Sequence, residues 1–209
     1  MIDHFAIDLV GIKRREERRA CVINSSFDLI VRARNGDHEA FRLLFERYAR
    51  PVMSFALNQV GRHDVAEEVT QETFVRAYSH LQDLRDEQRF STWLFGIARN
   101  VAREWLRTGA RAAFASSLDA ESFPEELPTT DLSPADDYSE KELSAAVLRA
   151  LGSLDEDRRV VFSLKVLQGT SYQEIAEITG FSLAKVKTDL HRARGEMRQK
   201  LRGFVGTNR

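Results

Sequence analysis

Ala176, Gly180 and Val186 follow one another at the spacing of two helices that meet in a tight turn. Short helices crossing steeply need a small side chain where they touch, and Ala176 supplies one. The turn between them calls for positive φ, which costs little only for glycine, and Gly180 stands there. Val186 then points back into the angle between the helices. Ser171 and Glu174 make S-x-x-E, a capping box that opens the first helix just after Gly169. The pattern predicts a helix-turn-helix over 172–191, inside the stretch QGTSYQEIAEITGFSLAKVKTDLHRARGEMRQKLR. From Phe181 to Arg202, seven Lys or Arg outnumber Asp189 and Glu196, a local charge of +5. That is the charge of an element lying against phosphates. A solvated basic helix capping a bundle would carry the same charge without needing Ala, Gly, Val and the capping box in register. DNA reading is the better account.

The formal net charge of −1 over 209 residues hides strong segregation. Asp119 to Glu142 hold nine acids against Lys141 alone, or −8, while both flanking blocks are basic. A pI near 6.5 is therefore no argument against nucleic acid. Cys21 is the only cysteine, so neither an intrachain disulfide nor a Cys-rich zinc site is available. No apolar run reaches the length of a membrane span, about 18 residues, and no membrane insertion is expected. The first 26 residues carry KRREERR in place of a long apolar stretch and do not resemble a secretory signal. The chain reads as cytoplasmic.

Three of the four prolines, Pro124, Pro128 and Pro134, fall in the acidic stretch. A segment of that composition buries little and repels itself, so residues 111–138 are expected to form a flexible linker. It separates a block at 27–110 from a block at 139–203, with an N-terminal extension at 1–26 and a tail at 204–209. The expected fold is all-α, as two small helical domains on a tether.

In the first block Asp37 is placed to cap a helix whose stripe is Phe41, Leu44, Phe45, Tyr48, Val52, Phe55 and Ala56. Pro51 should bend or break that helix, and Gly61 ends it. Asp64 is placed to cap a second helix carrying Val65, Val69, Phe74, Tyr78 and Leu81. After the polar loop LRDEQR, a third runs from about Ser91 to Arg107, with Trp93, Leu94, Ile97, Val101 and Trp105 on its apolar side. The second block adds helices at 140–151 and 155–168 before the helix-turn-helix, making a four-helix unit.

On the third helix Arg99, Arg103 and Arg107 recur every four residues and form one cationic row, with Asn100 beside it. Phe90 and Trp93 start the helix beside a loop holding Arg85 and Arg89. Cations tracking a backbone, with aromatics to stack on, suit single-stranded nucleic acid. The same two aromatics would fit equally well in a core, and Trp105, deep in the stripe, belongs there. Glu67, Glu68 and Glu72 share one helix and do not converge as metal ligands would; a solvated or partner-binding face is the simpler account. The five histidines are scattered. The sequence holds no catalytic constellation, no metal site and no cofactor motif.

VAEEVTQETFVRAYSHL followed by FSTWLFGIARNVAREWLR resembles the second conserved region of bacterial RNA polymerase sigma factors. LDEDRRVVFSLKVLQGTSYQEIAEITGFSLAKVKTDLHRAR resembles their fourth region. With these two regions alone and a short linker, the chain resembles the extracytoplasmic-function (ECF) subgroup. The resemblance implies a non-enzymatic subunit that brings the polymerase core, through its largest and second-largest subunits, to promoters and promotes melting. It implies that Glu68, Gln71 and Glu72 dock on the core and that Phe74 faces inward. It assigns Arg85, Arg89, Phe90, Trp93, Arg99, Asn100, Arg103 and Arg107 to the melted −10 strand. It assigns Lys187, Thr188, His191 and Arg192 to the −35 duplex. An anti-sigma partner is implied as well. Asp189, on the recognition helix, has two candidate roles: accepting from a cytosine amino group, or pairing with Lys185 or Arg192, the preferred reading. Val65 stands where relatives often carry Asp. The competing account is a helix-turn-helix regulator that acts without polymerase core.

Overall fold

The computed structural model describes residues 26–115 and 134–202. All of the expected N-terminal extension but Ser26, most of the expected acidic linker and the tail fall outside these residues. Within them the chain is helix and turn, with no strand.

Residues 26–34 form α1. Asp37 then caps α2 (His38–Val60), accepting from the Ala40 N–H at 3.1 Å. That bond, with the Arg32 guanidinium, holds the Asp37 carboxyl below the usual carboxylate range. α2 runs through Pro51 without ending, where the sequence suggested a bend or break. Tyr48, Val52 and Phe55, buried on either side of the proline, keep the helix in place against α3 and α4. Tertiary packing here outweighs the missing N–H. Gly61 closes α2 in the left-handed region, φ 73°, its N–H reaching the Leu57 carbonyl at 2.8 Å.

α3 (His63–Ser79) begins one residue before its expected cap: Arg62 takes that place without a side-chain bond, and Asp64 sits in the first turn paired to Arg62. There the carboxylate still favours the helix N-terminus. The loop after α3 is more ordered than its composition suggests. It forms two short 3₁₀ turns, Leu81–Asp83 and Glu87–Arg89, with Leu81 and Leu84 buried. Glu87 pairs with Arg34 of α1, which pins the loop. α4 spans Phe90–Ala115, longer at both ends than expected.

The second module opens with α5 (Pro134–Gly152), which starts inside the expected linker. Proline suits a first helical turn, where its missing N–H has no partner to lose. α6 (Glu156–Phe162), capped by Asp155, winds into a wider π turn at Ser163–Leu167. The capping box of Ser171 and Glu174 starts α7 (Tyr172–Thr179). Gly180 ends it at φ 74°, and Ser182 caps α8 (Leu183–Lys200). Val186 is fully buried in the angle, as its spacing requires.

The two modules share one apolar core. Leu44, Phe55, Phe90 and Leu94 of the first belong to the same buried cluster as Leu151, Leu164, Ile175 and Leu190 of the second. α4 packs on α7, and α2 on α5, α6 and the π turn. The sequence reading did not address how the modules sit on one another. A smaller cluster gathers Ala56, Val65, Val69 and Val101, with Trp105 and Leu148 against it. Phe45 and Tyr78, expected on buried stripes, are 41% and 46% exposed and lie edge-on to Phe74 and Phe41.

Candidate nucleic-acid and polymerase interfaces

α8 divides cleanly into two faces. Val186, Leu190, Ala193 and Met197 are buried, and their spacing of three and four leaves Lys187, Thr188, His191 and Arg192 outward. These four lie in adjacent turns and form one exposed basic and polar patch. Asp189 is not part of it. Only 6% exposed, it accepts from Lys185 Nζ at 2.7 Å, the intrahelical pairing with Lys185 rather than Arg192. Lys185 also reaches Asp157 at 3.0 Å and lies over the Phe181 ring at 4.6 Å. The bond to Asp189, then Asp157, pushes the Lys185 ammonium above its ordinary value.

The cationic row of the first module is less free. Arg85, Asn100 and Arg107 are exposed. Arg89 pairs with Glu177 of α7 at 2.7 Å and Arg103 with Glu156 of α6 at 3.1 Å. Arg99 is half-buried, its guanidinium 5.7 Å from the Phe181 ring centre. Burial, with the like charge of Arg103, pushes the Arg99 guanidinium below the usual arginine range. Phe90 corrects the sequence reading. At 1% exposure, edge-on to Tyr48 at 5.3 Å, it is a core residue with no face for a base. Trp93 is half-buried, 5.9 Å from Phe90, and is the aromatic of this pair nearer the surface.

The three residues assigned to core docking come together. Glu68 and Gln71 are exposed, Glu72 half-buried, and all three line an open groove of about 520 Å³ between α3 and α4. Its floor includes Val101 and Trp105, and Glu104 completes an acidic rim. Arg76 bridges the rim, bonding Glu72 at 2.7 Å and Glu104 at 2.9 Å. Those bonds raise the Arg76 pKa, and Arg76 in turn holds the Glu104 carboxyl below its usual range. Val65, 2% exposed, contributes nothing to this surface. Trp105, expected in the core, packs against the smaller apolar cluster and also lines this groove.

Among the described residues no group of three or more His, Cys, Asp or Glu could hold a metal, and no helix is long and apolar enough to cross a membrane. The family description "Sigma-70 region 2" matches residues 44–112, and "Sigma-70, region 4" matches 144–197. An ECF RNA polymerase sigma-E factor of Haemophilus influenzae is 32% identical over 181 residues, 85% of this chain and 95% of the relative. The factor of that description from Escherichia coli K12 is 35% identical, covering 85% and 94%. Among solved structures, CnrH in complex with the cytosolic domain of CnrY aligns with TM-score 0.62 and 26% identity over 85% of this chain and 97% of that one. The sigma factor RpoE of Bartonella quintana, solved with the anti-sigma factor NepR, shares the fold at TM-score 0.63 and 24% identity, over 81% and 98%. By the order of its two matched regions and its likeness to these relatives along most of its length, the chain belongs to the sigma-70 family of RNA polymerase sigma factors, in the ECF group.

Proposed function

We infer that three surfaces divide the work of a subunit that directs RNA polymerase to promoters. The outward face of α8, through Lys187, Thr188, His191 and Arg192, reads the −35 duplex in the major groove. The surface of Arg85, Arg89, Trp93, Arg99, Asn100, Arg103 and Arg107 holds the unpaired non-template strand once the −10 element melts. Phe90 acts from within, as the core residue that seats Trp93. The groove of Glu68, Gln71, Glu72 and Trp105 docks on the polymerase core. Its acidic rim and apolar floor suit a basic helix carrying an apolar side chain. Residues 27–110 and 139–203 are the working units of this division, and the acidic stretch between them suits a cationic channel better than DNA.

The observation that carries this reading is the joint presence, in one chain, of the groove on region 2 and the exposed basic face on region 4. The protein works in the cytoplasm and performs no chemistry; nucleotide transfer belongs to the polymerase. An anti-sigma partner belongs to the proposal because CnrH was solved with the cytosolic domain of CnrY and RpoE with NepR. Run-off transcription with purified core enzyme tests it. A promoter-dependent transcript that requires this chain is expected; none from any promoter of the source genome refutes it. Co-purification with core separates this reading from a duplex-binding regulator that needs no polymerase.

A further inference from the structure

Lys185 has the place of a DNA contact and the partners of an internal ion pair. It precedes Thr188 by three residues and Arg192 by seven, so it continues the stripe that those two present on α8. Its ammonium is nevertheless turned toward α6. It bonds Asp189 at 2.7 Å and Asp157 of α6 at 3.0 Å, and lies 4.6 Å from the centre of the Phe181 ring. Asp189 is 6% exposed, so this anchor lies behind the reading face. α6 is tied to α8 a second time by Arg158, which pairs with Glu196 and bonds Asp155 at 3.0 Å. All these groups belong to region 4, and the arrangement does not depend on how the two regions sit together. Lys187, Thr188, His191 and Arg192 remain exposed beside it.

A lysine in the first turn of a helix faces the positive end of the helix dipole, and α8 has no acidic residue in that turn. Asp189 and Asp157 supply the compensation, and one positive with two negative charges leaves the cluster at −1. A cation held by two carboxylates displaces no counterion from a phosphate unless those bonds break. We propose that Asp157 and Asp189 are positioning residues that withhold Lys185 from the phosphates flanking the −35 site. The inference rests on the assignment of α8 to the −35 duplex. Phosphate contacts strengthen binding to every sequence alike, whereas contacts to base edges discriminate. Withholding one cation therefore weakens retention on the many competing sites of a genome without giving up a base contact. Lys187, Thr188, His191 and Arg192 then carry a larger share of the binding.

Salt dependence of duplex binding by the full chain tests this, read as anisotropy of a labelled −35 duplex and of a scrambled one. D157N/D189N removes both restraining charges and keeps the side-chain shapes. It should bind both duplexes about fivefold more tightly at roughly 0.1 M salt, with the slope of log K against log salt steeper by about one. K185Q/D157N/D189N should return to the wild-type slope, because the added contact needs the freed ammonium. K185Q/D189N removes one charge of each sign and should keep the wild-type slope to within about 0.3. An unchanged slope in D157N/D189N overturns the proposal, as does a steeper slope that survives in the triple variant. Thermal melts report folding. Should D157N/D189N not fold, K185Q/D189N decides alone: a slope shallower by about one means that Lys185 already touches a phosphate, and the proposal is wrong. K187A separates the proposal from its premise. It should lose preference for the −35 duplex over the scrambled one; a wild type with no such preference, or a K187A variant that keeps it, removes the α8 assignment whatever the slopes.

Discussion

Replacing Lys187 or Arg192 by alanine separates reading from folding. Both side chains are exposed on the face of α8 opposite Val186 and Leu190, so neither substitution opens a cavity. Alanine is at least as good a helix former as either, and the change in stability should be within about 0.5 kcal/mol. For a chain of this size that moves Tm by no more than about 2 °C. A side chain reading a base edge is worth about 1–3 kcal/mol, or roughly five- to 150-fold in initiation at a −35-dependent promoter. The assay is multi-round run-off with saturating core, on the native promoter and on one whose −35 hexamer is scrambled, beside a thermal melt of each protein. Each variant should lose activity on the native promoter and equal the wild type on the scrambled one. Unchanged promoter strength in both variants, or an equal loss on the scrambled template, removes α8 from −35 recognition.

Three further outcomes follow from the same geometry. Trp93→Ala should impair melting more than core binding, by about 1–3 kcal/mol if a base stacks there. A pre-melted bubble template should restore its activity, and failure to do so makes Trp93 purely structural. Leu190→Ala, at a position 2% exposed against the shared core, should cost about 2–5 kcal/mol in urea unfolding; a loss under about 1 kcal/mol contradicts the packing of α8. Glu68→Arg, on the rim of the groove, should weaken core binding mainly through the association rate, with the deficit shrinking at high salt. A deficit insensitive to salt, or none, argues against docking through this rim.

The helix-turn-helix was legible because its constraints are local. Gly180 must take positive φ, Ser171 and Glu174 must cap the same turn, and Val186 must fill one angle, all within a short stretch. Helix existence elsewhere followed from periodicity, but exposure did not always. Phe45 and Tyr78 obey the stripe and yet stand half exposed, because no helix among the described residues covers them. Pro51 failed to break α2 because burial of Val52 and Phe55 on either side offsets the cost of the proline. Phe90 and Trp93 looked alike in sequence, and only the tertiary position of Tyr48 decides which of them is core. Least legible was the seam between regions. Arg89 with Glu177 and Arg103 with Glu156 are far apart in the chain, and no local pattern of charge announces such pairs.

Strand separation is the most direct measure of the central claim, that this chain grips a promoter as duplex at one end and as exposed strand at the other. With 2-aminopurine in the non-template −10 strand, adding this protein and core enzyme together to the cognate promoter should raise fluorescence, while either alone should not. Promoter occupancy by the holoenzyme with no rise in fluorescence would contradict the account.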